Sequence, residues 1–106
     1  MIQCLASKGS TIPRILCDVC SKPISDASMA IVVFDEPQLE GNYDEFVFLH
    51  KGACDDEHKG GRIRTEGWME LKFFLADICS NAGLSGEKLA EAVESRDRLR
   101  AATNDE

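Results

Sequence analysis

Cys17 and Cys20 stand three residues apart, and His50 and Cys54 stand four apart, with 29 residues between the two pairs. No other feature constrains the fold as much. Thiolates and an imidazole in two close pairs are the usual provision for tetrahedral zinc. One ion can be shared by both pairs only if the intervening chain doubles back. That chain contains the means to do so. Met29-Ala30-Ile31-Val32-Val33-Phe34 is apolar and β-branched, bounded by Asp26 and by Asp35-Glu36-Pro37, and reads as a strand buried on both faces. Tyr43 to His50 reads as a second strand, on which Phe46, Phe48 and His50 share a face by the two-residue period. The acidic residues from Asp35 to Asn42 form the loop of this antiparallel hairpin. Residues 1–14 read as a lead-in with a loop at Ser7–Ser10.

The first pair lies in Leu16-Cys17-Asp18-Val19-Cys20-Ser21-Lys22-Pro23-Ile24, a polar turn ending in proline. In such a turn, successive backbone N–H groups can point at the sulfurs and spread the thiolate charge. Zinc with three thiolates and one neutral histidine leaves about one negative charge, tolerable near the surface. The pattern CDVC…FLHKGAC resembles the Cys-x2-Cys…His-x2–3-Cys arrangement of treble-clef and LIM-like zinc modules. The resemblance covers roughly residues 14–58. The 29-residue spacer is longer than that of a LIM half-module, and no second ligand set follows. The resemblance implies a metal held by Cys17, Cys20, His50 and Cys54, with zinc the expected cofactor; similar thiolate sites accept iron.

His58 competes with His50, because Cys54-x3-His58 has ligand spacing on one helix face. His50 is the preferred reading: it ends a strand beside apolar residues, whereas His58 lies in DDEHKGG, which reads as solvated loop ending in a flexible glycine joint. Four protein ligands leave no open position for water, so the site reads as structural. The deaminase pattern and the His-Glu-x2-His pattern are both absent, and no enzymatic activity is expected. Redox chemistry is the rival reading for Cys17 and Cys20. A thioredoxin-like pair opens a helix, however, and Pro23 would break one here. Cys4 and Cys79 read as structural.

A chain of 106 residues suits one domain. Its 43% hydrophobic and 29% charged residues suit a soluble globular protein. The net charge of −7 disfavours nucleic acid, since neither half is a basic module. No apolar run is long enough to span a bilayer. MIQCLASKGS has neither the charged n-region nor the h-region of a secretory signal, so a cytoplasmic location is expected. In a reducing compartment a Cys-x2-Cys pair is more often metal-binding or redox-active than bridged.

Beyond residue 60 the pattern turns helical. Arg62-Ile63-Arg64 reads as a short third strand. Trp68, Leu71, Leu75 and Ile78 then recur at helical spacing, from a start at Thr65 or Glu66 to Asn81-Ala82-Gly83. Ser85 reads as the N-cap of a second helix reaching about Ala102, with Leu89, Ala92, Val93 and Leu99 on one side. The turn between these helices invites comparison with helix-turn-helix DNA-binding proteins. The early turns of the second helix carry Glu87, Glu91 and Glu94, which is wrong for reading DNA. The expected architecture is therefore α+β: a zinc-stabilised β-hairpin module over residues 14–60, then a two-helix hairpin over 61–106. The expected role is a protein-interaction or regulatory module, with a zinc-containing DNA-binding regulator as the alternative. Trp68, Phe73 and Phe74 exceed what one helix face buries, which points to a protein partner or a homodimer.

Overall fold

The computed structural model describes residues 1–34, 45–59 and 67–104. The chain opens with a hairpin in which β1 (Ile2–Ser7) pairs antiparallel with β2 (Ser10–Ile15). Lys8 and Gly9 between them have φ of 47° and 79°. Two successive positive φ values meet the demand of a type I′ turn, whose twist matches that of the strands it joins. Pro13 has no N–H to donate and is tolerated because both strands of a two-stranded sheet are edges. This hairpin corrects the reading of residues 1–14 as a lead-in, although the loop at Ser7–Ser10 is kept. Nearly every β1 side chain is exposed, so no apolar alternation marks the strand in sequence.

The second sheet has the order β4-β3-β5, with β3 (Ala30–Phe34) between β4 (Phe46–His50) and β5 (Gly67–Glu70) and both pairings antiparallel. β3 is the central strand, and Ala30, Ile31, Val32 and Val33 are all buried, as a strand covered on both faces requires. On one face, Ile31, Val33 and Leu49 pack with Cys17. On the other, Ala30, Val32 and Phe48 pack against Leu71 at the start of α2 (Leu71–Asn81). Phe74 of α2 inserts among the rings of Phe34, Phe46 and Phe48, with centroids 6.3, 5.5 and 6.5 Å away. Offset and edge-on ring pairs at such distances add to the area they bury. Met29 lies in the 3₁₀ turn Ala27–Met29 rather than in the strand, and Asp26 caps that turn through Ser28 N–H at 2.9 Å.

The sheet explains why α2 begins later than its periodicity implies. Trp68 belongs to β5, where it sits opposite Val33, and the helix begins at Leu71. Pairing with the free edge of β3 satisfies backbone groups that a helix starting at Thr65 would leave unpaired. The strand read at Arg62–Arg64, the glycine joint and the acidic loop from Asp35 to Asn42 lie outside the described residues. Lys51, just past β4, forms an ion pair with Glu70 at the end of β5. α2 ends as its sequence implies. Gly83 has φ 79°, Leu84 N–H reaches Cys79 O at 2.7 Å, and Gly83 N–H reaches Ser80 O at 3.1 Å. These two bonds make a Schellman stop.

α1 (Ala53–Lys59) and α3 (Glu87–Asn104) complete the fold, which is α+β. α1 corrects the reading of DDEHK as loop. α3 differs from the expected packing: Leu89, Val93 and Leu99 are all exposed, and Ala92 and Arg100 alone among residues 87–102 are half-buried. The radius of gyration is 16.2 Å, and the molecule measures 52 × 28 × 23 Å. A compact chain of this length would have a radius near about 13 Å. No helix among the described residues is long and apolar enough to cross a membrane.

Candidate metal centre

Three elements bring the cysteines and the histidine together. The turn after β2 carries Cys17 and Cys20. Leu16 bridges Pro23 across it, Cys17 N–H donates to Lys22 O at 2.9 Å, and Ser21 N–H donates to Cys17 O at 2.9 Å. Ser21 has φ 62°, a left-handed conformation that costs a non-glycine residue about 1–2 kcal/mol. Asp18 fastens the turn to β4. Its N–H donates to Phe48 O at 2.8 Å, and its Oδ2 accepts Phe48 N–H at 2.8 Å. The same carboxylate holds the Met1 ammonium at 3.0 Å. The outer edge of β4 is thus covered at Phe48, two residues before His50.

His50 closes β4, and Gly52, with φ 88°, turns the chain into α1, whose second residue is Cys54. By strand alternation His50 belongs on the side of Phe46 and Phe48. It is the last residue of the strand, however, and there its ring reaches past the sheet end to the cysteines. Cys20 Sγ lies 3.4 Å and Cys54 Sγ 3.9 Å from His50 Nδ1. The donor atoms of Cys17, Cys20, His50 and Cys54 all lie within 4.8 Å of one another. Zinc–sulfur bonds of about 2.3 Å and a zinc–nitrogen bond of about 2.05 Å in a tetrahedron place sulfur and nitrogen about 3.6 Å apart. The two observed distances bracket that value, so the donor set fits a tetrahedral ion. All three cysteines are free thiols rather than disulfide partners.

The histidine is also held in a suitable tautomer. His50 Nε2 lies 3.3 Å from Pro23 O, and a carbonyl can only accept. The proton therefore sits on Nε2, and the Nδ1 lone pair faces the sulfurs. A backbone carbonyl fixing the distal nitrogen is the common support of a metal-binding histidine.

The thiols are electrostatically unequal. Burial of Cys17 works against its thiolate, but the backbone N–H groups of Cys20, His50 and Val19, with the Cys20 side chain, outweigh it and lower its pKa to about 6. Cys54 is pushed up to about 11 by desolvation and by its neighbours Cys17 and Cys20. Near neutral pH one sulfur is prepared as an anion, whereas another keeps its proton unless a cation displaces it.

His58 is absent from the cluster. It lies on α1, one turn beyond Cys54 as the spacing implies, but His50 supplies the nitrogen. Cys4 is exposed on β1, and Cys79 is half-buried on α2. Sequence reasoning missed the supports, Asp18 and the Pro23 carbonyl. An aspartate in a turn signals local hydrogen bonding, but nothing in the sequence assigns it Phe48, 30 residues away. Comparison of the chain with protein-family models, with curated proteins and with solved structures found no match.

Proposed function

We propose that this is a small zinc-binding protein whose metal is structural, and that it serves as a protein-interaction module rather than a catalyst. One observation carries the reading: four donors from three separate elements, the Cys17–Cys20 turn, the end of β4 and the start of α1, converge within 4.8 Å. Zinc there would cross-link segments that otherwise meet through a small apolar cluster around Cys17, Ile31, Val33 and Leu49 and through the Asp18–Phe48 hydrogen bonds. A small core gains folding energy from such a link. Four protein ligands would close the coordination sphere and leave no site for an activated water. The sequence of cysteine turn, β-hairpin and helix start resembles the treble-clef arrangement, in which the helix start contributes to the second ligand pair.

Half-exposed aromatic residues supply the contact surface of such a module. Trp68 is 56% and Phe73 52% exposed. Aromatic side chains that remain in water are costly and are enriched in binding surfaces. The DNA-binding alternative gains no support from α3, whose first turns expose Glu87, Glu91 and Glu94. Cobalt substitution tests the metal reading. The protein refolded with Co²⁺ should show the visible bands of a tetrahedral thiolate site, and a chelator should abolish both the bands and the β-sheet circular dichroism. A colourless protein with an unchanged fold would overturn it.

A further inference from the structure

The three sulfurs of the metal centre differ in what reaches them from outside. Cys17 is fully buried, and the backbone N–H groups of Val19, Cys20 and His50 point at its sulfur. Cys20 and Cys54 are half-buried, which leaves part of each open to a small solute. Both of their sulfurs flank His50 Nδ1, at 3.4 and 3.9 Å, and they lie within 4.8 Å of each other. They also belong to different elements, Cys20 to the turn after β2 and Cys54 to α1. A bond between these two sulfurs would join the same elements that the metal joins. A bond between Cys17 and Cys20 would stay inside the turn and join nothing. Oxidation-sensitive cysteines are accessible and sit beside a second cysteine that resolves the first product, and this pair meets both conditions. The surroundings select the oxidant. Asp55 and Asp56 follow Cys54, and three thiolates with a divalent ion and a neutral histidine leave about one negative charge. Such a site repels anions and admits an uncharged peroxide.

We propose that the centre is a peroxide-sensitive clamp, in which Cys20 and Cys54 exchange their shared metal for a disulfide that keeps the turn fastened to α1. The proposal rests on zinc occupying the site. The chemistry runs in either order over the two sulfurs. From Cys20, the thiolate attacks hydrogen peroxide: an S–O bond forms, the O–O bond breaks and hydroxide leaves. The Cys54 thiolate then attacks that sulfur: the S–S bond forms, the S–O bond breaks and a second hydroxide leaves. The two sulfurs lose two electrons and the peroxide gains them. The metal is left with Cys17 and His50, two donors in place of four, and departs. A thiol reductant frees both sulfurs by exchange and readmits the metal.

Peroxide treatment of the zinc-loaded protein tests this, with a Cys4→Ser, Cys79→Ser variant alongside to exclude the two cysteines outside the cluster. Hydrogen peroxide should release about one zinc for every two thiols lost, read with a zinc-binding dye and by alkylation. Cleavage before Asp18 separates Cys17 from Cys20, and peptide mass spectrometry should find Cys20 joined to Cys54 and Cys17 alkylated. The β-sheet circular dichroism should survive peroxide, whereas a chelator, which removes the metal without making the bond, should abolish it. Four results would overturn the proposal and leave the structural zinc site standing: zinc retained with all thiols intact, a Cys17–Cys20 bridge, over-oxidation of a single cysteine, or loss of the sheet together with the zinc. A parent protein that never holds zinc would instead remove the structural-zinc reading and the clamp with it.

Discussion

Asp18 and the two unequal cysteines make the candidate metal centre vulnerable at single residues. Asp18→Ala removes the acceptor of Phe48 N–H and one link between the cysteine turn and β4. The loss of a partly buried backbone partner costs about 1–3 kcal/mol, readable as a lower urea midpoint with unchanged slope. Ser21→Gly acts in the opposite direction. Its φ of 62° strains serine but not glycine, so the variant should gain about 0.5–1 kcal/mol despite the greater freedom of its unfolded chain. A loss of stability would show that the Ser21 side chain contributes more than its backbone costs.

The thiols set the pH behaviour. Cys17 falls from 9.0 to about 6 on folding, so its stabilising contribution is complete above pH 9 and is lost as the pH falls through 6. Cys54 rises from 9.0 to about 11, so in the metal-free chain its contribution is present below pH 9 and is lost as the pH rises through 11. Metal uptake near neutrality must therefore expel the Cys54 proton. Calorimetric zinc titration in two buffers of different ionisation enthalpy should report net proton release, and retained zinc should fall off toward about pH 6. Uptake without proton release would contradict the proposed part of Cys54.

At the scale of elements, the stop of α2 makes a clean test. Gly83 has φ 79°, and a methyl group at its Cα would meet nothing within 4 Å, so Gly83→Ala should cost backbone strain without a clash, about 1–2 kcal/mol. Thermal unfolding measures it. This glycine, the buried β3 run and the hairpin between the ligand pairs are legible in sequence because each is specified locally, by a turn residue, a β-branched run or a spacing. The elements that are not legible depend on partners distant in sequence. Trp68 fits a helical stripe, but the open edge of β3 recruits it into β5. The β1 strand shows no apolar alternation because almost none of it is covered. α1 is short and polar, and its contribution to the site rests on one residue, Cys54. His50 is legible as a ligand by its spacing, whereas its position at the sheet end, where the two faces meet, is not.

For the molecule as a whole, stability is concentrated in the sheet and its two covers. Leu49 is fully buried between β3 and the cysteine turn, and Leu49→Ala should cost about 2–5 kcal/mol. Val93→Ala, on the exposed side of α3, should shift unfolding of the dilute protein by less than about 0.5 kcal/mol. Equal effects at the two sites would mean that α3 belongs to the core. The centre of this arrangement is the junction of the turn, β4 and α1, and the claim that a metal holds it is tested most directly by metal content. Mass spectrometry of the untagged protein, with Cys17→Ser and His50→Ala alongside, should find about one zinc per chain in the parent and none in either variant, with the fold lost in both. A metal-free parent with an intact fold would contradict the account.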